Sequence, residues 1–223
     1  MSDSYRRTEL GDGLSVLTES MPGVLSASIG VWARAGSVTE TPTEMGVSHM
    51  LEHMVFKGTE RRTAHELALV LERLGGSLDA YTTREHTSYQ ARVLDAHVDI
   101  GLDVLADLVL RPTLREADLE LEREVVLEEI STVEDTPDDL VFNLHAQALF
   151  GEHPYGYSIL GTRESVSALT SDDLQRVHRE HYRPGNLVVA AAGKVEHDAF
   201  VEQVLQQFGE GSLADRVPAA RPP

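Results

Sequence analysis

Residues 46–59 read GVSHMLEHMVFKGT, and the centre of that stretch is His49-Met50-Leu51-Glu52-His53. Apolar residues Met45, Val47, Met50, Leu51, Met54, Val55 and Phe56 surround it. The pattern predicts a helix from Thr43 or Glu44 to about Lys57, closed by Gly58. On a helix, positions i and i+4 share one face, so the His49 and His53 imidazoles can reach one metal ion. Glu52 stands beside them and can take the proton of a water molecule. A zinc ion suits two imidazoles and one carboxylate, with a fourth position left for water. The order H-x-x-E-H therefore points to hydrolytic chemistry. Two histidines four apart also occur on solvated helix faces, so the pentapeptide needs a third ligand from elsewhere in the chain.

Working outward, the chain before the motif reads as strands. Gly11-Asp12-Gly13 is a turn signal, and Val24 to Arg34 is rich in small and apolar residues at sheet spacing. After the motif, Thr63 with Glu66 forms a capping-box pattern for a helix buried along Leu67, Val70, Leu71 and Leu74. Gly75-Gly76 ends it. Ser77–Thr83 and Thr87–Leu94 read as a hairpin, and Asp95 or Ala96 to Leu110 as an amphipathic helix. A Glu-rich helix is expected from Leu114 to about Val133, and another from Asp138 or Asp139 to Phe150, with Pro137 between them. Thr170 caps a helix ending near Tyr182, Leu187–Ala192 reads as a buried strand, and His197–Phe208 as a last helix. The order suggests an α+β fold: an antiparallel-rich sheet covered by helices on one face. Residues 1–210 form the expected domain, and the proline-rich stretch 211–223 reads as a linker.

Bulk composition narrows the chemistry. The 223 residues suffice for one large domain or two small ones, and 41% hydrophobic content supports an ordinary core. There is no cysteine, which excludes disulfides, thiolate metal sites and a cysteine nucleophile. A formal charge of −18 disfavours nucleic-acid binding and suits basic peptides or simple solubility. No apolar run approaches the roughly 18 residues of a membrane span. Met1 to Leu10 is polar and lacks the apolar region of a secretory signal, so a cytoplasmic (bacterial) location is expected.

The third ligand has several candidates. Glu122 and Glu129 are seven apart, about 700° around a helix, and so share a face, whereas Glu128 points elsewhere. Spacing alone does not choose Glu129 over Glu124 or Glu134. The remaining histidines, at 65, 86, 97, 145, 153, 178, 181 and 197, read as surface or structural.

Further ordered blocks accompany GVSHMLEHMVFKGT. They are Gly75-Gly76, Ala80-Tyr81-Thr82, Glu85-His86-Thr87-Ser88-Tyr89, Glu122 to Ile130 (EREVVLEEI), Gly161-Thr162, His181-Tyr182-Arg183-Pro184 and Asn186. From about Tyr5 to Phe208 the chain resembles the N-terminal half of the pitrilysin family of zinc metallopeptidases, the inverzincins. Within that family it is similar to the branch containing mitochondrial processing peptidase and its bacterial homologues. The resemblance implies a zinc endopeptidase domain holding one Zn²⁺ through His49, His53 and Glu129. Glu52 would be the general base, and Glu122, one heptad before the third ligand, a supporting residue for catalysis. Asp79, Ala80, Tyr81 and Thr82 would form the edge strand on which a substrate peptide is laid as an added strand. Family members usually carry Asn where this chain has Asp79. The resemblance also implies a second homologous domain or subunit carrying an Arg/Tyr pair that holds substrate. A non-catalytic scaffold subunit and a peptide-binding module are the alternatives on the same fold, and an open sheet edge suggests a homo-oligomer.

Overall fold

The computed structural model describes residues 4–11 and 13–209. Six strands form one sheet in the order β1-β2-β6-β3-β5-β4. They are β1 (Tyr5–Glu9), β2 (Ser15–Ser20), β3 (Ser26–Ala33), β4 (Ser77–Thr82), β5 (Thr87–Leu94) and β6 (Leu187–Gly193). The neighbouring pairs are antiparallel except β2 with β6, which run parallel. The α-helices are α1 (Val47–Val55), α2 (Ala64–Glu72), α3 (Val98–Leu110), α4 (Glu116–Asp135), α5 (Pro137–Phe150), α6 (Arg163–Ala168), α7 (Ser171–His181) and α8 (His197–Phe208).

Period-two alternation decides which sheet face is covered. On β3, Ala27, Ile29, Val31 and Ala33 are buried, and the register sets them beside Val93, Ala91, Tyr89 and Thr87 of β5. On the other side of β3 the same residues meet β6, with Ile29 opposite Ala191 and Val31 opposite Val189. Helix α3 packs on β3 and β5, α8 on β2, and α1 on β4 and β5. Helices α4 and α7 then pack on α1 from the side away from the sheet. This expected α+β architecture makes α1 a central element, covered on two sides.

That position explains its sequence. Met50, Leu51, Met54 and Val55 are each fully buried. At about 1.5–3 kcal/mol per buried apolar side chain, they anchor the helix by roughly 6–12 kcal/mol before chain entropy is counted. His49, Glu52 and His53 occupy the stripe that remains.

Local chemistry moved several element ends. Helix α1 begins at Val47, not Thr43 or Glu44, because Gly46 lies in the left-handed region at φ 88°. A Cβ there would stand 2.5 Å from the Leu160 carbonyl oxygen, and one on Gly161 would stand 2.4 Å from the Met45 oxygen. The two glycines let residues 45–46 and 160–161 touch. Helix α4 starts at Glu116, since Leu114 has φ 45° and Arg115 is extended. Pro137 lies inside the first turn of α5, where its missing N–H costs nothing. Helix α6 carries no clear sequence signal: its capping box pairs Thr162 with Ser165 instead of the usual Glu or Gln. The Thr63–Glu66 box of α2 is present as expected.

The linker expected at 211–223 lies outside the described residues. Among the described residues, no helix is long and apolar enough to cross a membrane.

Candidate metal centre and active site

Helices α1 and α4 cross so that the expected ligands converge. His49 Nε2 and His53 Nε2 each lie 3.7 Å from Glu129 Oε2. The imidazole centroids are 4.5 Å apart. One ligand atom from each of His49, His53 and Glu129 falls within 4.8 Å of the others, the one such group found among the described residues. Two donors on a tetrahedral zinc with bonds of about 2.0–2.1 Å stand about 3.3 Å apart. Donors facing one another at 3.7 Å, too far for a hydrogen bond, fit such an ion with a small inward adjustment. The neutral-nitrogen and carboxylate set also suits it. Burial, with a smaller contribution from His53, lowers His49 to about 4, so its ring is neutral near pH 7 as a metal ligand must be.

The alternatives for the third ligand separate in three dimensions. Glu124 and Glu128 are exposed, and Glu134 pairs with Arg163 at 2.7 Å. Glu129 alone of these joins the histidines.

Glu122 lies behind His53, away from the ligand cluster. His53 Nδ1 and Glu122 Oε1 are 2.8 Å apart, and the Lys57 ammonium pairs with Glu122 Oε2. Burial would raise the Glu122 carboxyl, but the bonds from Lys57 and His53 outweigh it and hold the group below its ordinary range. An ionised acceptor at Nδ1 fixes the ring with its Nε2 lone pair toward Glu129. Sequence reading found Glu122 and missed Lys57, whose only signal was its place four residues after His53. His49 Nδ1 is buried without a hydrogen-bond partner among the described residues, so the two rings are supported unequally.

Helix α1 is itself held by a residue that sequence reading passed over. Gly46 supplies no capping side chain. The buried Glu40 instead accepts from the amides of Gly46 at 2.8 Å and Ser48 at 2.9 Å. A carboxylate at the positive end of the helix satisfies two amides that have no partner within it. A reach of eight residues from Ser48 lies outside any local capping pattern.

Strand β4 is an edge strand, as expected, with one side unpaired among the described residues. Asp79 and Tyr81 are exposed, with Tyr81 set edge-on to His86 at 5.8 Å. Ala80 and Thr82 point the other way and are half-buried. The Thr82 hydroxyl donates to Glu52 Oε2 at 2.7 Å, so this side chain serves Glu52 and only its backbone belongs to the open edge. Burial pushes the Glu52 carboxyl up, while Thr82 and His53 offset part of the rise. His49, Glu52, Ala80, Tyr81, Thr82 and Phe142 line part of one cleft of about 490 Å³. A larger hollow of about 720 Å³ between α4, α5 and residues 156–164 shares Val133, Asn143, Ser158 and Leu160 with it.

The other histidines stand apart from the cluster. His178 is buried, 2.8 Å from the Val109 carbonyl oxygen, and His197 lies between the hydroxyls of Thr8 and Thr18.

Residues 15–163 match the family described as insulinase (peptidase family M16), and residues 168–222 match the one described as peptidase M16 inactive domain. The described part of the second segment is integral to the fold above, since β6 lies between β2 and β3. A protein of Streptomyces coelicolor named as an uncharacterized zinc protease is 44% identical over 98% of this chain and 48% of its own length. A probable mitochondrial-processing peptidase subunit beta of Arabidopsis thaliana is 45% identical over 91% of this chain and 38% of its own length. The crystal structure of a protease from Helicobacter pylori superposes with a TM-score of 0.92 at 25% identity, covering 98% of this chain and 53% of that one. The chain thus spans about half the length of the curated relatives it matches.

Proposed function

This chain belongs to the M16 (insulinase) peptidase family, and from that premise we propose that it is the zinc-bearing half of an endopeptidase. The observation that carries the reading is the convergence of His49, His53 and Glu129 beside Glu52, with His49 and Glu52 on the wall of a cleft bounded by an open strand edge. His49 Nε2, His53 Nε2 and a Glu129 carboxylate oxygen would hold one zinc ion in this domain. When bound, zinc supplies Lewis acidity, making water acidic near neutral pH and polarising a peptide carbonyl. Glu52 Oε1, the oxygen opposite the one bonded to Thr82, takes a proton from the attacking water and returns it to the departing amine. Glu122 orients His53 through Nδ1. The unpaired edge of β4, from Asp79 to Thr82, receives the peptide backbone as an added strand.

Because the relatives are about twice as long, we assign the Arg/Tyr pair and the closure of the cleft to a second homologous domain or subunit. The same free edge is the surface by which isolated copies would associate.

One set of variants tests the reading. Zinc per chain, measured by elemental mass spectrometry, is expected near one for the parent and for Glu128→Gln. It is expected to fall sharply for His53→Ala and Glu129→Gln. Glu52→Gln should keep its zinc while peptide hydrolysis in the assembled enzyme falls by at least about 100-fold. Equal zinc loss in Glu128→Gln and Glu129→Gln, or full activity in Glu52→Gln, would refute the assignment.

A further inference from the structure

Glu52 carries its proposed role on a single flexible side chain, and the fold holds that side chain from the strand opposite. Thr82 is the last residue of β4, in register with Thr87 of β5. Alternation along β4 turns Thr82 inward toward α1, while Tyr81 faces out. Its hydroxyl lies 2.7 Å from Glu52 Oε2 and 3.3 Å from the Thr87 hydroxyl.

Thr87 is fully buried and donates its one hydroxyl proton to the Ala35 carbonyl at 2.9 Å. It therefore has none for Thr82. The Thr82 hydroxyl also has one proton, and the ionised carboxylate at the shorter distance takes it. Thr87 is itself anchored in the core. Thr87 bonds Tyr182, and the Tyr182 hydroxyl lies 2.7 Å from that of Tyr89, both rings fully buried. With no proton left to share, the two threonine hydroxyls only touch at 3.3 Å, and it is the β4–β5 register that holds Thr82 beside the anchored Thr87.

We propose that Thr82 is a positioning residue for the general base: its hydroxyl, set in place by the β4–β5 register, fixes the Glu52 carboxylate with one oxygen held and the other free to take the proton. The inference rests on the reading of Glu52 given above. It assigns Thr82 a role in the chemical step, separate from any contact its backbone makes to a peptide on the β4 edge. A fixed carboxylate is preorganised for proton transfer, whereas a free one must be ordered at each turnover.

The test uses the zinc-loaded, assembled enzyme and a fluorogenic peptide. Thr82→Val keeps the shape and strand propensity but removes the donor. It is expected to lower kcat by about 10- to 100-fold, with KM changed by less than about threefold and zinc content equal to the parent. Thr82→Ala, which adds no bulk, should lose kcat likewise, and Thr82→Ser should recover most of it. In a Glu52→Gln background, Thr82→Val should change the residual rate by less than about twofold, because no general base remains to be positioned. Parental kcat in both Thr82→Val and Thr82→Ala, a loss confined to KM, or an undiminished loss in the Glu52→Gln background would overturn the proposal. Full activity in Glu52→Gln alone would instead overturn the role of Glu52, so the two failures are distinguishable.

Discussion

Replacing Glu122 by Gln should weaken zinc binding although Glu122 does not face the ligand cluster. The carboxylate uses both oxygens, Oε1 toward His53 Nδ1 at 2.8 Å and Oε2 toward the Lys57 ammonium. A Gln side chain has one acceptor oxygen. Whichever way its amide turns, an N–H faces either the His53 N–H or the Lys57 ammonium. If it faces His53, the ring loses the acceptor that holds Nε2 toward Glu129. Loss of such an outer partner typically costs about 10- to 100-fold in metal affinity, or about 1.4–2.7 kcal/mol. The assay is competition with a chromogenic chelator at near-neutral pH, reading the zinc Kd. Glu124→Gln is the control, because Glu124 is exposed on the same helix and makes the same charge change. A Kd for Glu122→Gln within about twofold of the Glu124→Gln value would refute the reasoning, and His53 would then be held by packing alone.

Two further predictions concern the frame around the site. Glu40→Ala strips the acceptors from the Gly46 and Ser48 amides at the start of α1 and should lower stability to urea by about 1–3 kcal/mol; a change below about 0.5 kcal/mol would show that other groups cap the helix. The second concerns acid. Asp103 bonds Arg61 at 2.9 Å and also pairs with Arg62; burial would raise its carboxyl, but the two arginines outweigh it and hold it below the ordinary value of 3.8. A folded-state value below the unfolded one gives stability that is present above pH 3.8 and lost as pH falls through the folded value. Asp103→Asn should therefore be less stable than the parent at neutral pH, with the gap closing as thermal melts are taken below pH 3.8. A gap that is constant with pH would refute the assignment.

The two histidine ligand candidates and the general-base candidate were legible because they sit on one helix, where spacing translates directly into a shared face. The hairpin, the Thr63–Glu66 box and the buried stripes of the later helices were legible for the same reason: each depends on residues a few positions apart. Choosing Glu129 among the acidic residues of α4 needed either a family resemblance or the crossing of two helices. Periodicity reports which residues share a face and says nothing of what that face meets.

The groups that hold the site in place were illegible. Lys57 reaches Glu122 across 65 positions, Thr82 reaches Glu52 across 30, and Glu40 caps a helix from outside its first turn. The placement of β6 between β2 and β3 belongs to the same class, since a strand read near residue 190 gives no sign of its neighbours. The sequence by itself determined the elements, the charge, the absence of cysteine and the motif, all properties of local order or of composition. Beyond what the family resemblance implied, the tertiary structure decided which carboxylate joins the histidines, that Lys57, Thr82 and Glu40 hold the functional groups, and where the open strand edge lies relative to the metal ligands. These depend on contacts between segments distant in the chain, formed by packing against a common core that no single segment contains.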